Sequence, residues 1–381
     1  MTQDLLITNA QIVTPDEVIF GTVEVRSGHI TAVDRGLTGL ATAIDFDGDY
    51  LIPGLIELHT DNLERHFTPR PGVHWPAVPA VMAHDAEIAA AGITTVFNAI
   101  AIGDIINGST RLNYLEEMAR GVHEARERKV TRADHRLHLR CEISFAGVLD
   151  LFEPFSQDPL VRLVSLMDHS PGQRQFANVD KYREYYQGKY RMTDDEIESL
   201  ICRQQEASAT YGTINRRKIV DFCHDRKLAL ASHDDATADH VAEAARQGMT
   251  IAEFPTTLEA ADLSRQHGMK TLMGAPNVVR GHSHSGNVSA RYLAKEGLVD
   301  ILSSDYFPSS LLQGAFTLAK EIDGIDLPDA IATVTAHPAA AVGLRDRGRI
   351  LPGKKADLVR VALSDDVPVV RHVWRDGGRV V

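Results

Sequence analysis

The chain has 381 residues, 44% hydrophobic and 24% charged, enough for one large α/β domain and a small companion. Its formal net charge of −12 argues against nucleic-acid or anionic-membrane partners, which need a basic surface, yet permits a locally basic pocket and an anionic small substrate. No apolar run approaches the roughly 18 residues of a spanning helix. The start MTQDLLITNA lacks the basic and apolar regions of a leader, and Cys141, Cys202 and Cys223 are widely spaced with no CxxC. The expectation is a cytoplasmic protein with reduced thiols.

In chain order, residues 4–50 read as short strands: DLLITNAQIVT, TVEVRSGHITAVD and AIDFDGDYLIP, with Gly and Asp-Gly between them. The C-terminal GRILPGKKADLVRVAL and VPVVRHVWRDGGRVV read the same way. The two ends predict one composite β-sandwich domain, residues 1–52 with 346–381. Residues 53–345 alternate apolar strands with helical patterns. Strands are predicted near 55–60, 93–99, 137–143, 162–168, 228–233, 250–254, 270–274 and 299–304, and helices over 111–129, 194–226, 237–247 and 315–323. Thr193 and Glu196 have capping-box spacing ahead of the second helix. Eight strands alternating with helices predict the α/β class and a (β/α)₈ barrel.

Catalytic groups of such a barrel gather at the C-terminal ends of its strands, so the residues there carry the functional reading. LIPGLIEL runs into His59 and Asp61, which point to one face because they are two apart. HLRCEIS carries Glu142, VRLVSLMDHS ends in Asp168 and His169, and LALASHDD ends in His233, Asp234 and Asp235. TIAEFP holds Glu253, and DILSSDY ends in Asp305. A single strand-end His is unremarkable, and Asp234 and Asp235 also suit helix N-caps. Charges at several strand ends, however, would each cost several kcal/mol if buried unpaired. A divalent transition metal removes that cost, with Glu142 placed to bridge two ions.

The run LIPGLIELHTD, the strand-end histidines, SSDY and the late GRILPGKKADLV together resemble the amidohydrolase superfamily over nearly the whole chain. HTDNLERH, MDHSPGQRQF, SHDD, GAPNVVRGHSHSGNVSA and SSDYFPSSLLQ narrow the likeness to the diphosphatases of the carbon–phosphorus lyase pathway. That resemblance implies a hydrolase cleaving α-D-ribose 1-methylphosphonate 5-triphosphate to the 5-phosphate and pyrophosphate. It implies one or two divalent ions (Zn, Mn or Fe) held among His59, Asp61, Glu142, His169, His233 and Asp305, with Asp305 as general base. The superfamily's usual HxH is here His59-Thr60-Asp61, and VRLVSLMDHS has no counterpart of its bridging lysine, a place Glu142 is able to take.

A triphosphate substrate asks for cationic clamps. The candidates are Arg174, Lys181, Arg183, Lys189, Arg280, His282 and His284, weighed against a solvated charged loop for Lys181 through Arg191. Glu64 and His66 are candidates to orient His59 or cover the substrate, and His337 reads as structural. The expected partner is thus a phosphorylated sugar phosphonate, with no nucleic acid and no membrane, and a homodimer is the expected assembly. The alternative enzyme is an amide or amidine hydrolase or a deaminase on the same barrel. A non-catalytic scaffold would have lost the ligands that are present here.

Overall fold

The structure, a computed structural model, describes residues 4–104, 112, 114–176, 179–190, 192–283 and 285–381, without the side chains of residues 181, 185, 189 and 190. It divides into two compact units, Met1–Asn98 with Arg120–Arg136 and Met273–Val381, and Ala99–Ala119 with Leu137–Leu272.

The first strands are β1 (Leu5–Val13), β2 (Val18–Arg26), β3 (His29–Arg35), β4 (Ile44–Asp45) and β5 (Tyr50–Pro53). The central ones are β6 (Leu55–Thr60), β7 (Ile93–Ile102), β8 (Asp134–Glu142), β9 (Val161–Met167), β10 (Ala229–His233), β11 (Ile251–Glu253), β12 (Lys270–Gly274) and β13 (Ile301–Ser303). The last are β14 (Leu358–Ser364), β15 (Val367–Arg375) and β16 (Gly378–Arg379).

Both ends of the chain build one mixed sheet, in the order β16-β15-β14-β5-β1-β2-β3 with β4 against β1. Its seam is antiparallel β14 on β5, from Leu358↔Pro53 to Val361↔Tyr50. Alternation explains its burial: in β2, Ile19, Gly21, Val23 and Val25 face inward while their neighbours face out. Ile7, Val23, Leu51, Leu358 and Trp374 meet in its core, where Phe46 stacks on Trp374 at 5.9 Å. Each such side chain contributes about 1.5–3 kcal/mol by leaving water.

The eight central strands form a parallel sheet in chain order, and a bridge from Thr60 to Asp305 joins its first and last members into a nearly closed barrel. Every residue of β6 and β7 is buried, as in parallel strands covered on both faces. Gly54 explains the Pro-Gly before β6: a Cβ there would come 2.2 Å from Thr94 Oγ1.

Each helical span of the sequence reading holds a helix, the last starting earlier at Ser310, but further helices such as Ala77–Ala90, Val179–Tyr190 and Leu258–Gln266 were not read, and one span is broken. The helix expected over 194–226 is Asp194–Ala207, then a wider π turn Ser208–Gly212, then Thr213–Asp225. Thr193 and Glu196 do form the reciprocal capping box. Of the 111–129 pattern, Leu115–Glu127 is helical, and residues 111 and 113 lie outside the described ones. Among the described residues no helix is long and apolar enough to cross a membrane. All three cysteines are free.

A buried charge cluster gives a stability test. Arg347 is 3.0 Å from Asp134 and 3.0 Å from Asp346, and Asp357 lies at 3.9 Å. Burial raises the Asp357 carboxyl to about 6, against the favourable Asp376 N–H bond and the Arg347 charge. The folded state therefore prefers neutral Asp357: its contribution is complete below the ordinary carboxyl range, is lost as pH rises to about 6, and stays lost above. Asp357→Asn is expected to stabilise the chain at pH 8 by on the order of 2–3 kcal/mol, with the gain shrinking toward pH 4.5. Paired urea titrations at the two pH values check the sign, and a gain that grows on acidification would refute it.

Candidate metal centre

In the first unit, β6 carries His59 and runs on into Asp61, and Asp305 lies two residues past the end of β13. Backbone bonds lock these ends together. Asp305 N–H donates to His59 O (3.0 Å), Asp61 N–H to Asp305 O (2.9 Å), and the Thr60 hydroxyl to Asp305 O (3.0 Å). Ligand atoms of His59, Asp61 and Asp305 consequently lie within 4.8 Å of one another. Asp305 sits at φ 54°, a left-handed conformation that Asp tolerates better than most residues and that strained functional positions often adopt.

The sequence reading passed over Glu57. This fully buried carboxylate accepts His59 N–H at 2.7 Å and Ser304 N–H at 2.6 Å, clasping both strand ends. Burial raises it to about 7 despite those bonds. Its signal was a lone Glu inside an apolar strand, two residues before His59 and hence on the same face.

In the second unit the ends of β9 and β10 bring together His169, His233 and Asp234, again with ligand atoms within 4.8 Å. Asp234 lies 3.4 Å from His233 Nε2 and 3.8 Å from His169 Nε2, and the rings meet edge to face at 5.7 Å. Asp234 is thus no N-cap: the helix Ala238–Arg246 is capped by Thr237. It too is left-handed, at φ 56°.

Glu142 stands behind this set. One oxygen is 2.7 Å from His169 Nδ1, and the other accepts His169 N–H (3.2 Å) and the Ser144 hydroxyl (2.7 Å). Burial alone would depress His169, but the Glu142 charge and hydrogen bond outweigh it and the ring's pKa rises. Glu253 serves His233 in the same way, at 3.1 Å from Nδ1. His138, which the sequence reading left unmarked, bonds Ser165 Oγ at 2.9 Å and lies 3.7 Å from Glu253.

Imidazole nitrogens and carboxylate oxygens at such separations suit first-row divalent ions, so the residues fit the expected metal. Carboxylates on the far imidazole nitrogen fix tautomer and ring direction. Glu142→Gln is therefore expected to weaken metal binding about 10–100-fold, read by elemental analysis after dialysis against graded chelator. Unchanged retention would remove Glu142 from the centre.

The expected clamps are dispersed. Arg174 is buried and paired with Asp235 and, at 3.1 Å, with Glu243. Arg183 pairs with Glu198 at the surface. Arg280 and His282 are exposed and touch each other at 3.4 Å. The Lys181 and Lys189 side chains and His284 lie outside the described residues. Glu64 is half-buried; His66 pairs with Glu87 at 2.9 Å and Asn62 at 3.4 Å. His337 Nδ1 donates to Asp300 O at 2.8 Å, a local brace on the surface.

Three comparisons bear on this arrangement. A model of the amidohydrolase family matches residues 166–381. The α-D-ribose 1-methylphosphonate 5-triphosphate diphosphatase of Escherichia coli K12 is 54% identical over 377 residues, 99% of this chain and 100% of that one. N-acetylglucosamine-6-phosphate deacetylase from Pasteurella multocida shares the fold, with a TM-score of 0.64 at 13% identity over 99% of this chain and 100% of its own. With its barrel, its strand-end imidazoles and carboxylates and these matches, the chain belongs to the amidohydrolase family.

Proposed function

We propose that the chain hydrolyses α-D-ribose 1-methylphosphonate 5-triphosphate to the 5-phosphate and pyrophosphate. The observation that carries this is the 54% identity, end to end, to the Escherichia coli enzyme of that name. The two sets of ligands support a metal-dependent reaction with up to two divalent ions, one at His59, Asp61 and Asp305 and one at His169, His233 and Asp234. A divalent ion in such a site lowers the pKa of water and neutralises phosphoryl charge. Asp305, anchored through its backbone to His59 and Asp61, accepts the proton of the attacking water. Glu57 holds the strands that carry His59 and Asp305, and Glu142 and Glu253 orient His169 and His233.

Phosphorus NMR of metal-loaded protein with the ribosyl methylphosphonate triphosphate, and with ATP alongside, tests the reading. Pyrophosphate should appear from the first substrate faster than from ATP. No phosphorus product from a sample holding its metals would overturn it and direct assays to amides and amidines; an imidazolonepropionase of Streptomyces coelicolor is 25% identical over 370 residues, 89% of this chain and 86% of that one.

A further inference from the structure

Next to His169, inside the second unit, lies a cavity of about 520 Å³ whose lining includes Asp168, Ser170, Arg174, Ser208 and Arg216. One wall is the loop after β9. The other is the π turn Ser208–Gly212, the departure from a single helix noted above. Such turns interrupt regular helices at a cost in geometry and are frequent at functional sites.

The charges around this space are unevenly satisfied. Two guanidinium groups are buried side by side, Arg174 at 3% and Arg216 at 4% exposure. Arg174 takes Asp235 and shares Glu243. Arg216 donates to the Gln247 side-chain oxygen at 3.2 Å and reaches, at 3.5 Å, the same Glu243 oxygen that Arg174 holds. Burial, and the charge of Arg174, depress Arg216 to about 10 although Glu243, Asp235 and Asp168 all favour its charged form. The Asp168 carboxylate also lines the cavity but is already engaged. It accepts the Ser208 hydroxyl at 2.8 Å and Ser170 N–H at 3.1 Å. The Ser170 hydroxyl is fully buried and has no hydrogen-bond partner among the described residues. A buried five-donor guanidinium with one hydrogen bond and a shared carboxylate contact, and an unpartnered hydroxyl, on one cavity are complementary to an anion with several acceptor oxygens.

We propose that this cavity is a subsite for a tetrahedral phosphorus oxyanion, bound by Arg216 and Ser170 one residue away from His169. The proposal deepens the diphosphatase reading and rests on it for its choice of ligand. The oxyanion is either the methylphosphonate end of the substrate or its polyphosphate end, and the two sources are separable.

Methylphosphonate and inorganic pyrophosphate are titrated calorimetrically into the metal-loaded full chain, its Arg216→Gln variant and its Ser170→Ala variant. Arg216→Gln should weaken one probe or both roughly tenfold or more, the scale of charge-assisted hydrogen bonds to a charged ligand. A loss confined to methylphosphonate assigns the phosphonate end, and a loss confined to pyrophosphate assigns the polyphosphate end. The fold should tolerate the change, since Glu243 keeps Arg174 and is itself 38% exposed. Ser170→Ala should weaken the same probe several-fold while leaving the unfolding midpoint unchanged or higher, because an unpartnered buried hydroxyl is removed. Wild-type affinity in both variants, or no binding of either probe to wild type, overturns the proposal. Intact probe binding without turnover of the ribosyl triphosphate would instead count against the diphosphatase reading alone.

Discussion

Asp305→Asn is expected to lower kcat roughly 10²–10⁴-fold, the usual worth of a positioned general base, with little change in unfolding midpoint. Asn accepts the left-handed conformation that Asp305 occupies at φ 54°. The backbone bonds joining Asp305 to His59 and Asp61 involve only main-chain atoms at position 305 and survive the change. What disappears is the negative charge that the proposed base needs. Pyrophosphate release and bound metal should be measured on the same preparation. Full turnover would sink the assignment of Asp305 as base. Loss of turnover in proportion to lost metal would make Asp305 chiefly a ligand.

The largest stability effect is expected at Arg174. Its ion pair with Asp235 is almost wholly buried, both side chains being 3% exposed or less. Arg174→Met leaves the Asp235 carboxylate buried without its cation, and breaking one side of such a pair costs about 3–5 kcal/mol. Glu243 suffers less, because it is partly exposed and has Arg216 at 3.5 Å. Converting Asp235 to Asn in the same molecule removes the stranded charge, so the double variant should recover much of the loss. Chemical unfolding of wild type, both single variants and the double variant gives the coupling directly. Additive losses would mean that the pair carries no mutual energy and that Arg174 acts through packing alone.

Both effects depend on contacts of very different range in the chain, and this separates what was legible beforehand. Strand positions in the barrel followed from mostly apolar runs such as β6 and β7, whose residues are buried on both faces as in covered parallel strands. The capping box at Thr193 and Glu196 is a bond across three residues and is visible in the letters. The π turn at Ser208–Gly212 was not, since low-propensity residues such as Thr210 and Gly212 are tolerated within helices and do not by themselves specify a wider turn. The strand-end positions of His59, Asp61, His169, His233 and Asp305 were also readable, because strand ends and alternation are local properties.

The sequence by itself therefore determined the order of strands and helices, the family likeness and which side chains stand at strand ends. Only the tertiary structure decided what each of those side chains touches. Glu57 meets Ser304 across 247 positions, Glu142 meets His169 across 27, and Arg174 meets Asp235 across 61. A carboxylate two residues from a histidine looks the same in the sequence whether it faces a metal, a backbone amide or a guanidinium. Burial makes each of those choices energetically distinct, and burial is a property of the assembled barrel rather than of any stretch of chain.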